Sequence, residues 1–266
     1  MVQYLAKLKP EEFLRRYLRV APLALAIFRS IEAKNIAEVA MRRPILDLGC
    51  GFGEFAGVFF QKKVEMGLDI SWDELVSAQK ANLYEKLTWA DASDLPFKDN
   101  HFGTVLSVSV LEHIPNVGPV LDEAFRVLKP GGKFVLTVNG AKINKLLFWP
   151  NWFKKRGLPG LGTKYLNWYH RVFKHQTLWS KRKWEQALKK VGFKISHSRE
   201  IISPEATQLF DFFLLTAWPS QIIKLLIGYR WAWRPKWFRE WLVKKYAWIV
   251  EREEKQGSNL FIVATK

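Results

Sequence analysis

Cysteine is almost absent: Cys50 is the only one in 266 residues. One thiol cannot form an internal disulfide, and no Cys/His grouping has the spacing of a zinc site. A reducing, cytoplasmic setting fits this usage. Met1–Pro10 lacks a long apolar run ending in small residues, so no secretory signal is expected. An uninterrupted membrane-spanning helix needs about 20 apolar residues. The most apolar stretch, 209–227, is broken by Asp211, Pro219 and Lys224. Internal repeats and low-complexity tracts are also missing. With 48% hydrophobic residues, the chain can bury a substantial core and is not a disordered one.

Acidic residues are scarce in one part only. Residues 1–140 carry 17 basic and 17 acidic side chains, so the net charge of +17 resides in 141–266. Of the 13 tryptophans, all but Trp72 and Trp89 lie in that second part. A neutral, ordinary half is thus joined to a basic, aromatic half, and such a surface suits an anionic, partly apolar partner. Membrane headgroups and nucleic acid both qualify.

Apolar spacing predicts helices within 11–42, broken at Pro22. From Pro44 onward strands and helices alternate. Strands are expected at 44–48, 64–70, 87–90, 102–110 and 133–138, and helices at 54–60, 71–82 and 117–128. Ser71 can cap its helix, with Glu74 at the capping-box position. Pro130-Gly131-Gly132 is a stop signal. This alternation predicts a doubly wound parallel sheet covered on both faces. Further on, 181–191 reads as helix, while 193–198 and 260–265 read as strands. No convincing strand occurs in 140–178.

Three motifs end consecutive strands. In Leu46-Asp47-Leu48-Gly49-Cys50-Gly51-Phe52-Gly53, alternate glycines permit a tight turn and close approach of a ligand. The dinucleotide fingerprint requires a further glycine where Glu54 stands, and a carboxylate there would oppose a pyrophosphate. A ligand without phosphate meets no such objection, and Asp47 suits a cationic group. In Gly67-Leu68-Asp69-Ile70, the acid comes about 20 residues after the glycines, placed to accept from ribose hydroxyls. In Ala90-Asp91-Ala92, the aspartate can accept from an adenine amino group. Each motif alone could be an ordinary strand-end turn. All three, however, end strands, and ligands of doubly wound sheets bind beyond the carboxyl ends of the strands.

The chain resembles class I S-adenosylmethionine (SAM) dependent methyltransferases, especially the branch containing quinone, lipid and small-molecule methyltransferases. The resemblance rests on Leu46–Gly53, Asp69, Asp91-Ala92 with Asp94-Leu95-Pro96-Phe97, Val110-Leu111-Glu112-His113-Ile114, and Arg126-Val127-Leu128-Lys129-Pro130-Gly131-Gly132. It implies a Rossmann-like, mostly parallel seven-stranded sheet that closes with an antiparallel hairpin of 193–198 and 260–265. It also implies SAM as cofactor and a set of cofactor-binding residues. Asp47 would hold the methionine ammonium, and Gly49, Cys50, Gly51 and Gly53 would allow close backbone approach. Asp69 would bind the ribose, Asp91 and Ala92 would frame the adenine, Ser109 would line the sulfonium end, and Ile70 would belong to the same cofactor site. No metal is expected. His113 is the candidate general base where the acceptor must lose a proton; its other reading is a histidine that hydrogen-bonds nearby backbone.

The expected organisation is 1–43 as helices covering the cofactor site, 44–139 as the SAM-binding core, and 140–266 as the end of the sheet. That last part would carry two helical, aromatic insertions at 140–178 and 204–256. Tyr165, Tyr169, His170, Arg171 and His175 form a polar-aromatic cluster suited to a substrate lid, or simply to packing of the insertion. Leu146–Trp149 between cations reads as an interfacial anchor, and Trp237 and Trp241 would share a helix face. The expected function is methyl transfer to a lipid, quinone-like or lipid-linked small molecule, peripherally at an anionic membrane surface. The alternatives are an RNA methyltransferase using the basic aromatic half, with nucleic acid ranked behind membrane, and a non-catalytic SAM-binding module.

Overall fold

Short Val-, Leu- and Ile-rich runs set the sheet: β1 (Ile45–Leu48), β2 (Val64–Asp69), β3 (Tyr84–Trp89), β4 (Phe102–Val108), β5 (Leu128–Asn139), β6 (Lys194–Glu200) and β7 (Asn259–Thr265). In the computed structural model, which describes residues 8–214, 235–253 and 256–266, they form one sheet in the order β3-β2-β1-β4-β5-β7-β6. β1 to β5 pair in parallel, and β7 runs antiparallel to both β5 and β6. Every residue of β1 and β4 is buried, as parallel strands covered on both faces require. The strand order reverses between β1 and β4, which opens a crevice at their carboxyl ends.

The helices are α1 (Pro10–Tyr17), α2 (Leu23–Ala37), α3 (Glu54–Phe59), α4 (Trp72–Ala81), α5 (Gly118–Val127), α6 (Ile143–Leu146), α7 (Phe148–Lys155), α8 (Pro159–Val172), α9 (Lys181–Val191), α10 (Pro204–Leu214) and α11 (Lys236–Glu251). Their ends follow local chemistry. Pro22 separates α1 from α2. Ser71 Oγ accepts from Glu74 N–H at the start of α4, and Ser180 Oγ accepts from Lys183 N–H at the start of α9. Gly192, at φ 116°, ends α9 in the left-handed region.

Two cores flank the sheet. On one face α1, α2, α3, α10 and α11 pack around Phe13, Ile27, Phe59, Phe210 and Val243. On the other, α5 and α9 enclose Trp184, Phe134 and Val120. The 193–198/260–265 hairpin forms as expected from the sequence. β3 starts at Tyr84, ahead of the apolar 87–90 run, because Tyr84 already pairs with Val64. β5 starts at Leu128: the Pro130-Gly131-Gly132 stretch does end the helix, but Leu128 pairs with Phe102 at the head of the strand. Of the apolar 209–227 stretch, 209–214 belong to α10, and 215–227 lie outside the described residues.

Candidate active site

The turn from β1 into α3 is built by backbone that only glycine adopts cheaply. Gly49, Gly51 and Gly53 have φ of 77°, 52° and 85°. A Cβ on Gly49 would lie 2.5 Å from the Val110 methyls, whereas one on Gly51 would meet nothing nearer than the Glu74 carboxylate at 4.0 Å. The turn therefore packs on one side and is open on the other, as a ligand cradle must be. Gly51 N–H donates to Asp69 Oδ2 at 2.8 Å, and Ser71 N–H donates to Oδ1 at 2.9 Å. Each Asp69 oxygen can accept a second bond, so the carboxylate fits a ribose. Asp47 is 3% exposed and accepts from the Tyr84 hydroxyl at 2.7 Å. Burial raises its pKa to about 6, a penalty that a bound ammonium would relieve.

A cavity of about 350 Å³ opens beside this turn. Asp47, Gly49, Cys50, Gly51, Ser109, His113, Tyr169 and His175 line it, together with Phe28, Phe173 and Phe210. The structure thus brings together eight of the residues singled out from the sequence. Gly53, Asp69, Ile70, Asp91 and Ala92 lie outside the cavity on the same carboxyl edge. There Asp91 Oδ1 accepts from both the amide and the hydroxyl of Ser93, which holds its carboxyl below the usual range. Ile70, Trp72 and Trp89 form an exposed apolar shelf, with the two indoles edge to face at 5.9 Å. Of the lid candidates, Tyr165 and His170 do not line the cavity. The Tyr165 hydroxyl donates instead to buried Asp211, which also accepts from Trp149 N–H.

Sequence reasoning missed the polar wall opposite the glycine turn. Glu32 of α2 is 1% exposed and accepts from Ser109 Oγ at 2.6 Å, Thr137 Oγ1 at 2.9 Å and Arg29 at 2.8 Å. Arg29 also approaches Glu54 at 4.0 Å. This network holds Ser109 at φ 53°, a left-handed conformation uncommon outside glycine. A signal did exist: α2 is apolar nearly all round, and a carboxylate in such a helix must find partners inside. Glu112, Asn139 and Asn259 were missed too; they also line the cavity.

The turn after β4 carries the histidine chemistry. Leu111–His113 form one 3₁₀ turn, and the Glu112 carbonyl accepts from Gln176 and Thr177 N–H at 2.8 and 2.9 Å. This clamp draws the end of the first insertion onto the core and stacks His175 on His113, with ring centroids 5.8 Å apart. His113 Nδ1 lies 3.3 Å from the Lys174 carbonyl, which fixes the proton on Nδ1 and leaves Nε2 as the acceptor. Desolvation lowers the His113 pKa and takes that of His175 down to about 3, so both rings are neutral.

The aromatic insertions divide by face. The expected interfacial anchor is half-buried: Leu147 and Pro150 are buried, and Trp149 stacks on Phe212 at 6.1 Å. α11 behaves differently. It buries Leu242, Val243, Ile249 and Val250, while Trp237 (72% exposed), Trp241, Lys244 and Trp248 recur along its outer face.

Residues 46–136 match the family described as a methyltransferase domain. The chain is 31% identical, over 44% of its length and 50% of the relative's, to a ubiquinone/menaquinone biosynthesis C-methyltransferase UbiE of Desulfotalea psychrophila. It is 33% identical, over 43% and 42%, to a fatty-acid O-methyltransferase of Mycolicibacterium smegmatis. It spans at most half the length of these relatives. Among solved structures it is similar to a SAM-dependent methyltransferase, possible histamine N-methyltransferase, from Thermotoga maritima. That TM-score is 0.56 at 16% identity, over 90% and 89% of the two chains. The fold is therefore a Rossmann-like α/β fold of the kind seen in that SAM-dependent methyltransferase.

Proposed function

We propose that this protein is a SAM-dependent methyltransferase acting on a lipid, quinone-like or lipid-linked small molecule. The carrying observation is the shared cavity. The turn residues suited to SAM and an aromatic wall from α2, α8 and α10 face one space, so methyl donor and apolar acceptor would meet there. SAM supplies a methyl already activated by its sulfonium. The chain's part is positioning and exclusion of water. Asp47 holds the ammonium, Gly49, Cys50 and Gly51 give close backbone approach, and Gly53 starts α3. Asp69 takes the ribose, and Ile70, Asp91 and Ala92 frame the base. Ser109, fixed by Glu32, lines the sulfonium end. His113, neutral with Nε2 unprotonated, takes a proton where the acceptor has one to lose.

The outer face of α11 supports work at an anionic membrane surface, with tryptophans at headgroup depth and lysines toward phosphates. No helix among the described residues is long and apolar enough to cross a membrane.

Calorimetric titration of SAM and its demethylated product tests the first part. Micromolar binding is expected, weakened at least about tenfold in Asp69→Ala and less in Asp69→Asn, which keeps one acceptor oxygen. Absence of binding by the wild type would remove the cofactor and with it the reading. Sedimentation with anionic and zwitterionic vesicles tests the second part.

A further inference from the structure

Three polar side chains at one end of the cavity are left with unanswered hydrogen-bonding atoms. They are Glu112 Oε2, Asn139 Oδ1 and Asn259 Nδ2, all buried and without a partner among the described residues. The fold places them side by side. Asn139 and Asn259 face each other across the β5–β7 register, and Asn139 N–H donates to Glu112 Oε1 at 3.3 Å. Their other atoms are committed, which sets their orientation. Asn139 Nδ2 pairs with His175 Nε2 at 2.9 Å, and Asn259 Oδ1 accepts from Ser258 Oγ at 3.0 Å.

Such atoms are costly to bury unless a ligand or an ordered water completes them. Resting on the methyl-transfer reading above, we infer that Glu112, Asn139 and Asn259 form the polar end of the acceptor site and select an acceptor bearing an uncharged hydroxyl on an apolar body. The donor–acceptor pattern decides this. Asn139 offers an acceptor and Asn259 a donor, so the ligand group must both donate and accept. A hydroxyl does both, an ammonium only donates, and a carboxylate only accepts. Charge points the same way. Burial raises Glu112 to about 8, so it offers a cation no counter-charge near neutrality, and Arg29 is already engaged by Glu32 and Glu54. Phe28, Phe173 and Phe210 supply the apolar wall for the rest of the molecule.

The test titrates four probes of one shape into the full chain holding demethylated SAM: para-butylbenzyl alcohol, para-butyltoluene, para-butylbenzoate and para-butylbenzylammonium. The alcohol is expected to bind at least about tenfold more tightly than the hydrocarbon and than either ion. Asn259→Leu and Glu112→Leu should bring the alcohol to within about twofold of the hydrocarbon, while Glu112→Gln keeps the preference. Equal or better binding of the hydrocarbon or an ion overturns the inference, as does failure of all four to bind. Titrating SAM into the same samples separates the two readings. If SAM fails to bind while the preference for the alcohol holds, the cofactor assignment falls and the polar subsite stands.

Discussion

The segment 44–139 and the insertions that follow it reach their shapes by different means. In the first, position is fixed by backbone: three left-handed glycines, a left-handed Ser109, and Asp69 tied to two amides. In the insertions, side chains do more of the positioning, beside the backbone clamp of Gln176 and Thr177 on the Glu112 carbonyl. Rings pack on rings, as Trp149 on Phe212 and His175 on His113, and charges such as those of α11 turn outward. A backbone device tolerates almost no substitution, whereas ring packing tolerates many. The family match, 46–136, falls on the segment built from such backbone devices.

If this contrast is right, a methyl group added at the turn does the most damage. Gly49→Ala places a Cβ at φ 77° and 2.5 Å from Val110, and should cost about 3 kcal/mol. Thermal unfolding reads the stability, and calorimetry should find SAM binding lost with it. A stable, SAM-binding Gly49→Ala would break the comparison.

The next effect is pH-dependent. Folded Glu112 keeps its proton to about pH 8, while the unfolded chain releases it near 4.5. Its burial therefore favours the folded state most at low pH, and that advantage is lost as pH rises from 4.5 through 8. Glu112→Gln, always uncharged, should be more stable than the wild type above pH 8. The gap should close toward pH 5. Asp47 titrates near 6 in both proteins and cancels. Denaturant unfolding at several pH values measures the difference.

The smallest effect on stability belongs to the outer face of α11. Trp237→Ala should change stability by less than about 0.5 kcal/mol and leave SAM binding intact, yet lower affinity for anionic vesicles. A large loss of stability would mean that this face carries core packing after all.

The same division explains what could be read in advance. The alternation of strands and helices and the glycine turn follow from periodicity and from glycine spacing, which are local signals, whereas the closing hairpin was implied by the family resemblance. Asp69 and Asp91 were findable because they end strands. Glu32 and Asn259 were not, because each gains meaning only from residues more than 50 positions away: Ser109 and Thr137 for the first, Asn139 and Glu112 for the second. Tyr165 had the right chemistry in the right insertion, and its hydroxyl went to Asp211 instead.

The place of β7 in the sheet has a consequence for assembly in time. β6 pairs with β7, and β7 in turn sits between β6 and β5, so residues 259–265 join two strands made far earlier during synthesis. Until they emerge, β5 and β6 each present an open edge, and such edges are where nascent chains stick to one another. Asn259 arrives with that last strand. The polar end of the cavity thus comes into being only when the sheet closes, and a half-made chain would have the glycine turn without a complete seat for an acceptor.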